Sequence, residues 1–487
     1  MSSTVCMFVY NNCTTDARVL KEAASLVKGG YKVKIIAIMD KTTLPYEIRD
    51  GIEIIRVIKN PLHYRIFSGE IITELFKAKK KNVLKNLRKD YKQAKEIKDT
   101  IPKKKTSTKL NITQLTWKEF LKSFFQELKT NTLKIILYRW LFYLLNGLLR
   151  IIRLIVVKIF VPPLKSILMT VHKPLCFHDF YKRSLILNIE EPSDIYHGHD
   201  LHTVPTAFKT AKRTKAKVVY DAHELYTEMS GLKPIERKLY TRIERKYAPK
   251  VDALITVNES IATELKDRYH LRKKPSIIFN CPEVSNNIIM TDNDVLREKL
   301  NIPKETKIVL YQGGYSINRG LFNLIKSAKY INNGIVVFMG WGRIEEELKD
   351  EVKKLQLEDK VIFTPGVPQN ELLNHSKSAE VGVIPYQFVG LNNYYTSPNK
   401  LFEYINAGVP IAGSDFPELK RVIDKYNIGE TFDPESPKSI ATAINKVLDD
   451  SEYQKTLKEN TKLAAKDFTW EQEEKKLIEI YSKLVNE

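Results

Sequence analysis

The sequence predicts an α/β protein of two parallel-sheet domains facing across a cleft, with a basic helical insert in the first. Three observations carry this. Strand-length apolar segments alternate with helical repeats twice over, from Thr4 to Phe279 and again from Lys307 onward. At 487 residues the chain exceeds what a single core serves. Its net charge of +21 is also uneven: residues 60–185 hold 27 Lys/Arg against 8 Asp/Glu, or +19, which leaves +2 for all the rest.

Taken in order, residues 4–10 read as a buried strand. Asp16 to Lys28 reads as a helix with Val19, Leu20, Ala23, Ala24 and Val27 on one face and Gly29-Gly30 as its stop. Tyr31 to Met39 completes a βαβ opening, the signature of a parallel sheet. Arg18 and Glu22, four apart, read as a surface ion pair. The loop Asn11 to Thr15 follows the first strand, where open α/β sheets bind ligands, but it lacks the GxGxxG of a dinucleotide site.

The insert has two parts. Lys77 to Lys105 is lysine-rich and reads as a solvated helix or arm. Thr130 to Val171 is mostly apolar, and no Asp or Glu occurs between Leu128 and His178. On a helical projection Arg139, Asn146, Arg150 and Arg153 fall within about 60° of one another. Its apolar runs are shorter than the roughly 20 residues of a membrane span. The reading is an interfacial helix on an anionic membrane surface, ended by Pro162-Pro163. A helix packed on the protein's own sheet and a transmembrane hairpin are the alternatives. Nucleic acid is not expected, because the aromatic residues lie in an aliphatic field.

After the insert, strands are expected at the approach to His197-Gly198-His199-Asp200, at Lys217 to Asp221, at Val251 to Val257 and at Ser276 to Phe279. Helices are expected at Thr203 to Lys212 and Glu259 to Arg268. Asn280-Cys281-Pro282 marks a boundary. The second half places strands at 307–312, 335–339, 360–363, 380–384, 409–412 and 429–432, and a last helix at Trp470 to Val485. The expected domains are 1–59 with 186–282 as the first α/β domain, 60–185 as the insert, and 283–469 as the second α/β domain. Helix 470–487 is expected to pack back on the first.

One stretch organises the second half. Ser397 can cap a helix, Pro398 fits its first position, Leu401, Phe402 and Ile405 form one apolar face, and Gly408 stops it. The N–H groups of such a helix attract phosphate, Lys400 adds charge to its first turn, and Glu403 one turn on can accept two ribose hydroxyls. A capped core helix is the plain alternative. Polar residues also end strands in both halves: His197, His199, Asp200, His223 and Glu224 in the first, Gly313, Gly314 and Arg319 in the second. No nucleophile elbow or GxxxxGK[ST] loop is present, and the His and Cys spacing suggests no zinc site. Asp292-Asn293-Asp294 reads as a helix cap and not a metal-binding pair. Four scattered cysteines and the absence of a signal peptide point to the cytoplasm.

These segments together resemble the GT-B glycosyltransferases of family four, over residues 1–59 and 186–487. Asp16 to Ala23 is similar to the family's first helix and Tyr220-Asp221-Ala222-His223-Glu224 to its donor-site histidine strand. Val309 to Leu321 is similar to its phosphate-binding turn, and Ser397 to Asp415 to its nucleotide helix. The resemblance implies two Rossmann-like domains, retention of configuration, a nucleotide-sugar donor of UDP or GDP type, and no metal or other cofactor. It makes His223, Arg319 and Lys400 catalytic. It assigns Gly313, Gly314, Ser397, Pro398, Asn399 and Glu403 to the donor, and Asn12, His199 and Asp200 to the acceptor. The chain departs from the family in having Gly314 where a paired cation is common and Tyr395 where the first of two glutamates stands. The expected function is hexosyl or N-acetylhexosaminyl transfer to a lipid-linked or cell-envelope glycan at the inner membrane face. A nucleotide-sugar epimerase and an inactive nucleotide-sugar-binding membrane scaffold are the rivals.

Overall fold

The computed structural model describes residues 3–68, 171–283 and 294–486, with isolated positions between 144 and 169. By internal contacts the chain divides into two units, one of residues 1–37, 47–55 and 191–487, the other of 38–46 and 56–190.

Two sheets lie mostly in the first unit. The first sheet comprises β1 (Thr4–Phe8), β2 (Lys32–Met39), β3 (Tyr46–Arg49), β4 (Ile52–Ile58), β5 (Ile195–His199), β6 (Lys217–Ala222), β7 (Ala253–Thr256) and β8 (Ser276–Ile277), in the order β3-β4-β2-β1-β5-β6-β7-β8. β1 pairs in parallel with β2 on one side and β5 on the other, so the strand order reverses between β1 and β5. Strands β3 and β4 were not anticipated, although the signal is legible. Asp50-Gly51 joins them with φ of 51° and 79°, the paired positive angles of a two-residue hairpin turn.

The second sheet comprises β9 (Ile308–Gln312), β10 (Ile335–Gly340), β11 (Val361–Pro365), β12 (Val381–Ile384), β13 (Ile411–Ser414) and β14 (Gly429–Phe432). Its order, β11-β10-β9-β12-β13-β14, is parallel throughout and reads 3-2-1-4-5-6 within the sheet. The reversal falls between β9 and β12, which opens a crevice at their carboxyl ends. Both faces are covered, one by a core around Val309, Phe338 and Ile444, the other by one around Leu310, Phe402 and Ile411.

Helix Trp470–Asn486 packs on helix Ala17–Lys28, placing Trp470, Leu477, Tyr481 and Leu484 in the core of the first sheet. Trp470 Nε1 donates to Ser25 Oγ at 2.9 Å. The reading of Arg18 and Glu22 as a surface pair is corrected here: they are 4% and 0% exposed. Their helix face turns onto the carboxyl edge of the sheet, where Asp221 is the penultimate residue of β6. Arg18 donates to both Asp221 oxygens at 2.8 Å and to Ile278 O at 2.9 Å.

In the second unit, helices Leu62–Phe67 and His172–Glu190 pack together. The expected insert boundary at 185–186 falls inside the latter helix, which runs on until Pro192 approaches. Asp179 holds Arg183 at 3.0 Å and accepts from the Asn60 N–H at 3.0 Å. The lysine-rich stretch 77–105, the arginine stripe at Arg139, Asn146, Arg150 and Arg153, and Asp292-Asn293 all lie outside the described residues. Among the described residues no helix is long and apolar enough to cross a membrane.

Candidate active site

A cavity of about 510 Å³ opens at the carboxyl edges of both sheets within the first unit. His223, Glu224, Val257 and Ile261 line it from the first sheet. Gln312, Gly313, Arg319, Tyr386 and the segment Ser397 to Lys400 with Glu403 line it from the second. The carboxyl ends of β9 and β12 supply Gly313 and Tyr386, so the cavity lies at the strand-order reversal of the second sheet. The two sides are laced together by side-chain amides. Asn258 caps helix Glu259–Tyr269 through its oxygen and donates to Tyr395 O at 2.7 Å and Ser397 Oγ at 3.0 Å. Asn392 accepts from the Leu225 N–H at 2.8 Å and donates to Glu224 at 3.1 Å.

Helix Asn399–Asn406 begins one residue later than expected. Pro398 is its N-cap, and no side chain caps it. Ser397 is drawn off instead by Asn258 and by Val257 O, to which its hydroxyl donates at 3.4 Å. The expected cap is therefore corrected, and the first turn of the helix is left for a ligand. Its far end closes as anticipated at Gly408, with φ of 70°: the Gly408 N–H reaches Ile405 O and the Val409 N–H reaches Tyr404 O. That is also why β13 starts at 411 and not 409.

Lys400 is 5% exposed, and its Nζ has no hydrogen-bond partner. The ammonium lies over the Tyr311 ring at 3.7 Å and the Tyr386 ring at 5.5 Å. Burial, reinforced by Arg319, pulls its pKa well below the usual lysine range, against Glu403. Gly313 leaves it room: φ there is 115°, and a Cβ would stand 3.4 Å from Nζ. Arg319 Nε donates to Ser316 Oγ at 3.0 Å, and its guanidinium bonds Tyr386 Oη while lying 4.9 Å from that ring. At Gly314 a Cβ would meet only Trp341 O, at 3.9 Å, so steric crowding does not explain the missing cation there.

Glu403 is aimed by a relay. One carboxylate oxygen accepts from Gln312 Nε2 at 2.6 Å, and Gln312 Oε1 accepts from Ser376 Oγ at 2.6 Å. Burial raises its pKa, and the Gln312 bond opposes the rise. Sequence reasoning missed Gln312, Tyr311, Tyr386, Asn258 and Asn392. The signal for Gln312 was its position, the last residue of a strand just before Gly313.

On the facing side His223 Nε2 meets Asp221 Oδ2 at 2.8 Å, and its Nδ1 lies 3.6 Å from Asp200 Oδ2. Burial disfavours its protonation, but Asp200 and Asp221 outweigh it and push the pKa up to about 10. At neutral pH His223 is therefore a cation at the cavity wall. His199 is fully buried behind it, 3.2 Å from His223 Nε2, and stacked on His197 with ring centroids 4.1 Å apart. The expectation that His199 faces an acceptor is corrected: its ring reaches only the histidine–aspartate cluster. Asp200 reaches the cavity through His223, and Asn12 holds Thr14 in a turn after β1 (Oδ1 to the Thr14 hydroxyl, 2.8 Å); neither lines the cavity.

Ligand atoms of Glu22, His197, His199 and Asp221 lie within 4.8 Å of one another, all buried. Arg18 already occupies this cluster, 3.1 Å from Glu22 and clamped on Asp221. Burial first, then the Asp221 charge, pushes the Glu22 pKa up to about 8, and burial lowers His197. One guanidinium balances one carboxylate there, so the donor set does not call for a metal.

Sequence and structure comparisons bear on what the cavity does. Residues 292–464 match the model of the glycosyl transferases group 1, and residues 149–284 that of glycosyltransferase family 4. An uncharacterized glycosyltransferase of Methanocaldococcus jannaschii is 24% identical over 313 residues, covering 62% of this chain and 77% of the relative. The fold is similar to sucrose-phosphate synthase of Thermosynechococcus elongatus, with a TM-score of 0.66 at 14% identity over 99% of both chains. It is also similar to Anabaena HepE in complex with UDP-glucose, with a TM-score of 0.60 at 11% identity over 99% of this chain and 100% of the other.

Proposed function

The chain belongs to the GT-B glycosyltransferases of family four, and from that premise we propose that it transfers a sugar, with retention, from a UDP- or GDP-type donor to a lipid-linked or cell-envelope glycan. The observation that carries the donor half is Lys400: a buried ammonium with no hydrogen-bond partner, aimed into a cavity beside a second cation and an uncapped helix start. A diphosphate supplies the missing partner. Its negative charge offsets the burial that disfavours the Lys400 ammonium, and Arg319 and the helix N–H groups share the load. These groups matter more as the glycosidic bond breaks, because negative charge then builds on the leaving phosphate. Glu403, held by Gln312, is the ribose acceptor of this reading. His223, charged and braced by two carboxylates, donates toward the sugar and is no general base. The transfer uses no metal, since these cations do that work.

The acceptor half rests on charge. The +19 carried by residues 60–185 suits an anionic bilayer, where each basic residue near the surface contributes about 1 kcal/mol. Such attachment brings a lipid-linked acceptor to the cytoplasmic face, and tethering in turn raises the effective concentration of acceptor at the cavity. A thermal-shift screen across UDP, GDP, ADP and CMP sugars tests the donor. Lipid extracts with the best donor, read by the anomeric configuration of the product, test the rest. His223→Ala and Arg319→Ala are expected to abolish turnover; normal turnover in both would sink the assignment. Epimerised sugar released without any acceptor would overturn the transfer reading.

A further inference from the structure

Three side chains in the second unit converge and take no part in the chemistry above. His63 lies on helix Leu62–Phe67, while His172 and Cys176 stand one turn apart, on one face at the start of helix His172–Glu190. His63 Nε2 and His172 Nδ1 are 2.8 Å apart, and Cys176 Sγ is 3.8 Å and 3.7 Å from the two His172 ring nitrogens. One ligand atom from each lies within 4.8 Å of the others. His63 is 0% exposed and Cys176 2% exposed, and His63 Nδ1 is buried with no hydrogen-bond partner. Tyr64 stacks on His172 at 5.7 Å and Phe67 meets His63 edge-on at 5.8 Å, which shields the cluster.

We propose that His63, His172 and Cys176 form a zinc site, with water as a fourth ligand, that ties together the two flanks of the basic insert. The donor set of two imidazoles and one thiolate is one that zinc accepts and harder cations such as magnesium or calcium do not. A tetrahedral zinc with bonds of about 2.0–2.1 Å to nitrogen and 2.3 Å to sulfur spaces its ligand atoms roughly 3.3–3.6 Å apart. The 2.8 Å between His63 Nε2 and His172 Nδ1 and the 3.8 Å from that same nitrogen to Cys176 Sγ lie on either side of that spacing, and the third edge, His63 to Cys176, is within 4.8 Å. Binding takes Cys176 as the thiolate and releases its proton to solvent. Of the charged groups whose fields reach the pair, Lys59 and Lys173 oppose a cation, and Asp179 favours one at His63. His63 and His172 are 109 positions apart, which is why motif spacing in the sequence gave no zinc signal. That separation is also the point of the site: an ion there closes the long insert at its base, where loop-closure entropy is greatest.

The full-length chain, stripped with a chelator and titrated with Co²⁺, tests this. The expected result is one equivalent bound with a thiolate-to-cobalt charge-transfer band, bleached by Zn²⁺. Cys176→Ser removes the band, Cys281→Ser keeps it, and His63→Gln weakens cobalt binding at least tenfold. Added Zn²⁺ raises the Tm of the stripped wild type and not of His63→Gln. No thiolate band in the wild type overturns the site, whatever the variants do. A band that survives Cys176→Ser overturns it equally.

Discussion

Glu22 offers a direct test of the buried cluster beneath His223, because its protonation state is tied to a number. Its pKa stands at about 8 in the folded chain, against 4.5 for the ordinary group. Between those values the native chain keeps a proton that the unfolded chain gives up, so stability falls as pH rises, by at most about 1.4 kcal/mol per unit. Below pH 4.5 both states hold the proton and the contribution is constant; above about 8 the whole loss has accrued. Across the window the loss is on the order of 5 kcal/mol, a ceiling because Asp221 and Arg18 share the same charges. Glu22→Gln copies the protonated carboxyl in shape and removes its titration. The variant and the wild type are therefore expected to melt together near pH 5, with the variant gaining several degrees by pH 9. Thermal unfolding of both across that range, in one buffer system, is the assay. A Tm difference that stays flat with pH, or a wild type that gains at high pH, would show Glu22 ionised and paired with Arg18, and the reasoning would fail.

Lys400→Met removes a buried ammonium that has no partner, so the free protein is expected to hold or gain stability while UDP binding weakens by about 1.5–3 kcal/mol, roughly 10- to 150-fold in Kd; calorimetry with equal affinity in both proteins would remove Lys400 from the donor site. Because the Lys400 pKa is depressed in the free site and rises beside a phosphate, UDP affinity in the wild type should fall as pH rises, with a slope that Lys400→Met abolishes. Gly320→Ala places a Cβ 1.7 Å from Pro385 O at a φ of 70°, and a loss of about 2–4 kcal/mol in stability is expected, measured by denaturant melts. Tyr481→Phe deprives the buried His197 Nδ1 of its 2.6 Å partner, with an expected cost of about 1–3 kcal/mol and little change in UDP affinity.

The strand and helix pattern of the second half was legible because its inner strands, such as β9, β10 and β12, are buried on both faces and read as nearly continuous apolar runs. All six expected strands are present; several ends shift by one or two residues, and β13 starts late because Gly408 and Val409 close the preceding helix. The first half was less transparent. The hairpin Tyr46–Arg49 with Ile52–Ile58 is short and partly exposed, and helix Pro234–Tyr247, whose charged surface hides its apolar face, went unread. Gly313, Arg319, Lys400 and Glu403 were found from local chemistry, since a glycine turn, a strand end and a helix start are all local features.

What the sequence by itself determined, then, is the pair of parallel sheets, the helix stop at Gly408, and the residues Gly313, Arg319, Lys400 and Glu403 that line the cavity from the second sheet. What only the tertiary structure decided is partnership. Arg18 and Glu22 look like a surface pair until Asp221 arrives from 203 positions away and buries them. Ser397 looks like a cap until Asn258 takes its hydroxyl, and His199 looks like a ligand until His223 covers it. Residue spacing encodes what a side chain meets within its own turn or strand. Whether a charge is solvated, paired or stranded depends on which distant element packs over it, and that sets whether Lys400 waits for a phosphate or merely decorates a surface.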